Sequence, residues 1–143
     1  MPRVSMPKSW DSIRPRQAGH FRRSTRAANP MKQIAKTPEP PYLAVIFTSI
    51  RGDEDAQGYA AAAQRMLELA SHQPGFLGVE TARDGDGLGI TISYWRDEAS
   101  IRSWKNDAEH LKIQAQGRDV WYAQYRTRVC RVERDYGFSR DGD

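Results

Sequence analysis

The sequence predicts a single α+β domain built on an antiparallel sheet, and three observations carry this. Short runs rich in β-branched and aromatic residues alternate with two amphipathic stretches. Two of the runs, 76–83 and 88–95, flank Asp84-Gly85-Asp86-Gly87, a hairpin signal in which glycine supplies positive φ without steric cost. The whole chain is 143 residues long, which accommodates one domain of the usual size.

The elements follow in order. Residues 42–51 read as a strand with Leu43, Val45, Phe47 and Ser49 on one face and Ala44, Ile46, Thr48 and Ile50 on the other. Apolar residues on both faces mark it as a central strand. Residues 52–58 form a polar loop. From 59 to 73, Tyr59, Ala63, Met66, Leu67 and Ala70 recur at helical spacing, and Pro74-Gly75 stops the helix. After the hairpin, Ile90, Ile92 and Tyr94 share one strand face and Thr91, Ser93 and Trp95 the other. Asp97 is a good N-cap for a helix over 98–110 carrying Ile101, Trp104, Ala108 and Leu111 on one side. Residues 112–117 continue it as a bent or second helix, 120–122 form an aromatic connector, and 125–133 read as the last strand.

The order β-α-β-β-α-β is the split βαβ, or ferredoxin-like, arrangement, with both helices on one face of the sheet. The first strand, Ile92 and Tyr94 leave apolar side chains on the other face, so a second copy packed sheet on sheet is expected, a homodimer.

Charge divides the chain. Nine Lys and Arg against Asp11 and Glu39 give residues 1–40 a balance of +7, while the remainder carries −3. The domain is therefore 41–138, preceded by a basic, proline-containing extension over 1–40 that is expected to be disordered, and followed by a polar tail over 139–143. Met31 offers an alternative start eleven residues before the first strand. An acidic domain behind a basic tail argues against a nucleic-acid partner. No apolar run approaches the roughly 18 residues of a membrane span, so no membrane partner is expected either. One cysteine, Cys130, and no Cys/His spacing of the zinc type point to a reducing, cytoplasmic protein without a metal site.

Three stretches carry a resemblance: Pro74-Gly-Phe-Leu-Gly-Val-Glu80, Ile90-Thr-Ile-Ser-Tyr-Trp95, and Ile101-Arg-Ser-Trp-Lys-Asn-Asp-Ala-Glu-His110. Residues 41–138 resemble the antibiotic biosynthesis monooxygenase (ABM) family of the dimeric α+β barrel group. The resemblance implies a homodimer with a ligand cavity between sheet and helices, and a function drawn from a mixed set. That set includes cofactor-independent oxygenases acting on phenols and haem-degrading enzymes. Trp104 matches the helix tryptophan of the haem-degrading members, but their first-strand Asn is Thr48 or Ser49 here, and their His position is Gln114. On one continuous helix His110, six residues past Trp104, falls on a different side.

Each candidate carries two readings. Trp104 is either a packing residue or a cavity wall that stacks on a planar ligand. His110 either sits favourably at the end of its helix dipole or serves as general base, with an ordinary pKa near 6.5. Tyr94 and Trp95 point to opposite faces, so at most one lines a given cavity. Trp121 and Tyr122 read as a lid or a dimer contact. Arg126 and Arg128 read as partners of carboxylates across the sheet or dimer interface, Cys130 as a small buried hydrophobe, and His20 and His72 as solvent-facing. The expected site has His110 and Trp104 as catalytic residues, with Tyr94, Trp95, Trp121, Tyr122, Phe47 and Ser49 binding a small aromatic ligand and no cofactor. The leading expectation is a cofactor-independent monooxygenase acting on a phenol or quinol. The alternatives are a non-catalytic small-molecule-binding dimer and a haem-binding or haem-degrading protein.

Overall fold

The computed structural model describes residues 33–141, so the basic stretch upstream, with His20, lies outside the described residues. The chain runs β1 (Tyr42–Arg51), α1 (Ala56–Ser71), β2 (Phe76–Arg83), β3 (Leu88–Trp95), α2 (Glu98–Lys105), α3 (Ala108–Gln116), a π-helical turn (Gly117–Trp121) and β4 (Tyr122–Val132). The strands form one antiparallel sheet in the order β2-β3-β1-β4. β1 is thus a central strand, as its two apolar faces predict, and the helices cover one face.

The first three strands have the bounds that alternation predicts, and Gly87 closes the hairpin at φ 97°. Cross-strand partners place two sets of side chains on opposite faces. Leu43 lies opposite Trp95, Phe47 opposite Thr91, and Ser49 opposite Gly89 on the helix side. Ala44 lies opposite Tyr94, Ile46 opposite Ile92, and Thr48 opposite Ile90 on the other. The core sits on the helix side, where Trp95 (0% exposed), Ala70 and Ile101 meet Leu43, Val45, Phe76 and Trp104.

The second helix differs from expectation. It breaks at Asn106–Asp107, and Asp107 starts α3 by accepting a hydrogen bond from the His110 backbone N–H at 2.9 Å. The connector also differs: Trp121 ends the π-helical turn and β4 begins at Tyr122, three residues before the expected last strand.

The open face of the sheet is closed at one corner. Ala35 N–H donates to Glu80 Oε2 at 3.0 Å, and Tyr94 OH donates to Glu80 Oε1 at 2.6 Å. Tyr42 OH donates to Asp135 Oδ2, and Thr37 Oγ1 reaches both groups. Away from that corner Ile50, Leu88 and Ile90 remain over 40% exposed. Arg126 and Arg128 share this face with Cys130, opposite Thr48, Ile46 and Ala44. Among the described residues neither arginine makes the ion pair within the sheet that the sequence reading allowed. No helix among the described residues is long and apolar enough to cross a membrane.

Candidate functional site

The helix side of the sheet gathers two aromatic groups at opposite ends of β1. At the Leu43 end, Trp95 and Trp104 lie with ring centroids 6.2 Å apart and 23° between planes. The His110 ring stacks on Trp104 at 4.1 Å and 13°. The helix break brings this about: a turn at 106–107 folds α3 back, so a residue six past Trp104 returns onto its ring. His110 therefore lies in the first turn of α3 and not at a helix C-terminus. The favourable dipole expected for it is reversed, because an N-terminus disfavours a cation.

His110 Nδ1 lies 2.8 Å from the Trp104 carbonyl oxygen, which can only accept, so Nδ1 carries the proton and Nε2 keeps its lone pair. Burial pushes the His110 pKa below its ordinary value, outweighing the Trp104 carbonyl and Asp107, which raise it. The imidazole is accordingly neutral at pH 7, the protonation state a general base needs. Trp95 supports this group from inside the core, its Nε1–H donated to Ser93 Oγ at 2.9 Å.

The second group lies four to six residues along β1, at Phe47 and Ser49, about 13–20 Å away at strand rise. Phe47 contacts Tyr122 and Tyr125 at centroid distances of 5.5 and 5.3 Å. Tyr59 on the first turn of α1 meets Trp121 at 6.0 Å and Tyr122 at 5.8 Å. Ser49, 1% exposed, accepts from Arg83 Nη2 at 2.6 Å, and the same nitrogen donates to Tyr59 OH at 3.0 Å. Burial raises the Tyr122 pKa, so its phenol keeps its proton. Trp121 is buried within the protomer, with Nε1–H donated to Asp55 Oδ2 at 3.3 Å.

The expected site is thus divided. His110, Trp104 and Trp95 come together at one end, and Phe47, Ser49, Trp121 and Tyr122 at the other. Tyr94 stands on the opposite face, bonded to Glu80 and edge-on to Tyr42 at 5.8 Å, and cannot line a cavity with either group.

The family model for antibiotic biosynthesis monooxygenases matches residues 41–116, more than half of the chain. The chain belongs to the ABM family. The match runs from the start of β1 to the end of α3, so it includes Trp104 and His110 and stops before Trp121 and Tyr122. This ABM chain is 48% identical over 111 residues to YqjZ of Bacillus subtilis (strain 168), an uncharacterised protein, covering 78% of this chain and 96% of the relative. Among solved structures it is similar to SnoaB of Streptomyces nogalater, a cofactor-independent oxygenase, with TM-score 0.58 and 13% identity over 67% of this chain and 97% of that one. It is similar also to PA3566 of Pseudomonas aeruginosa, with TM-score 0.56 and 16% identity over 69% and 99%. At such identities these structures share the ferredoxin-like α+β fold, and their chemistry is their own.

Sequence reasoning missed Tyr59, Arg83, Arg51 and Tyr125 of the ABM domain. By sequence Tyr59 belongs to the apolar stripe of its helix, and Arg83 is the last residue of a hairpin arm. The available signal was Gly89: it faces Arg83 across the hairpin, and a Cβ there would run into the guanidinium.

Proposed function

We propose that this ABM-family protein is a cofactor-independent monooxygenase of a small planar phenol or quinol, working as a homodimer in the cytoplasm. The observation that carries the reading is the Trp104–His110 stack, which presents a neutral imidazole of fixed tautomer beside an aromatic platform. In the proposed reaction His110 Nε2 takes the phenolic proton, and the resulting carbanion character lets the ring carbon reduce oxygen directly. One oxygen atom stays on the ring carbon, and the other leaves as water with two substrate hydrogens. SnoaB, an oxygenase that needs no cofactor on the same fold, supports this choice.

The test is oxygen uptake across a panel of phenols and quinols. A general base is worth about 10²–10⁴-fold in rate, so His110→Ala is expected to slow uptake by at least the lower figure. Unchanged uptake removes the base assignment. The mutual stacking of Trp104 and His110 also favours a second reading, a dimer that binds a small molecule without turning it over. A thermal shift with phenols but no oxygen uptake selects that reading. A hemin titration separates the third: a saturable Soret shift lost in His110→Ala would replace the oxygenase reading with haem binding.

The dimer is proposed on the open face of the sheet, where the exposed Ile50, Leu88 and Ile90 form an apolar surface beside Arg126 and Arg128.

A further inference from the structure

The second aromatic group holds two cations that the proposed reaction does not use. Arg51 Cζ lies 4.6 Å from the Tyr59 ring centroid and Arg83 Cζ 5.3 Å from it. Among the described residues neither guanidinium has a carboxylate within ion-pair distance. Asp55, the carboxylate built into this end, is occupied by Gly58 N–H at 3.1 Å and Trp121 Nε1–H at 3.3 Å. Asp53 and Glu54 next to it are exposed.

Arg83 commits three donors, to Gly87 O, Ser49 Oγ and Tyr59 OH. Its Nε–H and one Nη1 proton remain for a further acceptor. Among the described residues the Arg51 guanidinium makes, besides its contact with Tyr59, a 3.4 Å hydrogen bond from Nε to Gly52 O. Two half-buried positive groups at one ring leave uncompensated charge, which an anion accepting from their free N–H groups would neutralise.

The surroundings are aromatic and uncovered. Phe47 lies on an inner strand, on the side that carries the helices, yet it is only half-buried. Val129, two strand positions from Thr127, its cross-strand partner, is 50% exposed. Two backbone irregularities frame the group: Asp55 in the left-handed region at φ 52° and the π-helical turn at Gly117–Trp121. Both kinds of feature concentrate where a chain binds or reacts.

We infer that Arg51 and Arg83, set against Tyr59 and Tyr122, form a binding site for a planar aromatic carboxylate. The guanidiniums take the charge, and the ring lies against the half-buried outer side of the packed Phe47, Tyr122 and Tyr125 rings. This site is separate from the Trp104–His110 platform and does not require His110 to act as a base.

The experiment is calorimetric titration of the full chain with 1-naphthoate, beside the neutral 1-naphthamide. Naphthoate is expected to bind at least about tenfold more tightly, with an affinity that falls as salt rises. Arg51→Gln is the informative variant, because Arg83 also holds the buried Ser49 and its loss endangers the fold. Arg51→Gln is expected to weaken naphthoate binding about tenfold and leave naphthamide unchanged. His110→Ala should bind naphthoate as the parent does. Equal affinity for acid and amide, or parental naphthoate binding by Arg51→Gln, overturns the site. Loss of naphthoate binding in His110→Ala overturns it too, by placing the anion at the other end of β1.

Discussion

His110 is held twice, by the Trp104 ring beneath it and by the Trp104 carbonyl at Nδ1, so one residue fixes both its plane and its tautomer. Its pKa lies below the unfolded value near 6.5, so between the two values the unfolded chain binds more protons than the folded one. Stability therefore rises with pH through that window, and the cost of burying the imidazole is full only below the folded pKa. His110→Phe keeps a stacked ring and removes the titration. Its melting temperature is expected to fall less than that of the parent as pH drops from 7.5 to 5, by differential scanning calorimetry. Both partners of this stack were legible in the sequence, but their contact was not. A single helix over 98–110 keeps residues six apart on different sides, and Asn106 and Asp107 fall off the apolar side of that pattern. Only tertiary folding decides that Asp107 caps a new helix.

At the scale of elements, the strands were legible and the helix ends were not. Runs of β-branched and aromatic residues and the Asp-Gly hairpin bound β1, β2 and β3 without help from contacts, because strand propensity and turn chemistry are local. The π-helical turn has no periodicity of its own, so Trp121 and Tyr122 read as a loop. Two substitutions probe these elements. Asp107→Ala removes the α3 cap and is expected to cost about 0.5–2 kcal/mol by urea denaturation. It should also raise the mobility of His110, visible as line broadening of its ring resonances. Gly89→Ala sets a methyl group where the Arg83 guanidinium lies, separating Arg83 from the buried Ser49. An unsatisfied buried hydroxyl costs about 1–3 kcal/mol, and that loss is expected without a change in α3.

At the scale of the whole molecule, the helices among the described residues leave one sheet face uncovered except at the corner held by Tyr42, Tyr94, Glu80 and Asp135. In the proposed dimer that apolar face is the interface, and a positive charge in its middle would be buried on the face that already carries Arg126 and Arg128. Ile90→Lys is expected to yield a folded monomer by sedimentation velocity where the parent sediments as a dimer. A parent that sediments as a monomer at micromolar concentration would remove the dimer. Sequence reasoning reached this surface through the apolar residues of β1 and β3. It did not foresee the closed corner, because Ala35–Glu80 and Thr37–Asp135 join residues 45 and 98 positions apart.

That corner makes the domain a nearly closed ring. The segment entering β1 and the segment leaving β4 are tied to each other through Thr37, Tyr42 and Asp135, so a short peptide could join them without stretching either. Such a circularised chain would lose little native structure and gain a smaller unfolded ensemble to escape from. The order in which its strands occur along the chain is then a matter of where the ring is cut, while the sheet order β2-β3-β1-β4 stays the same.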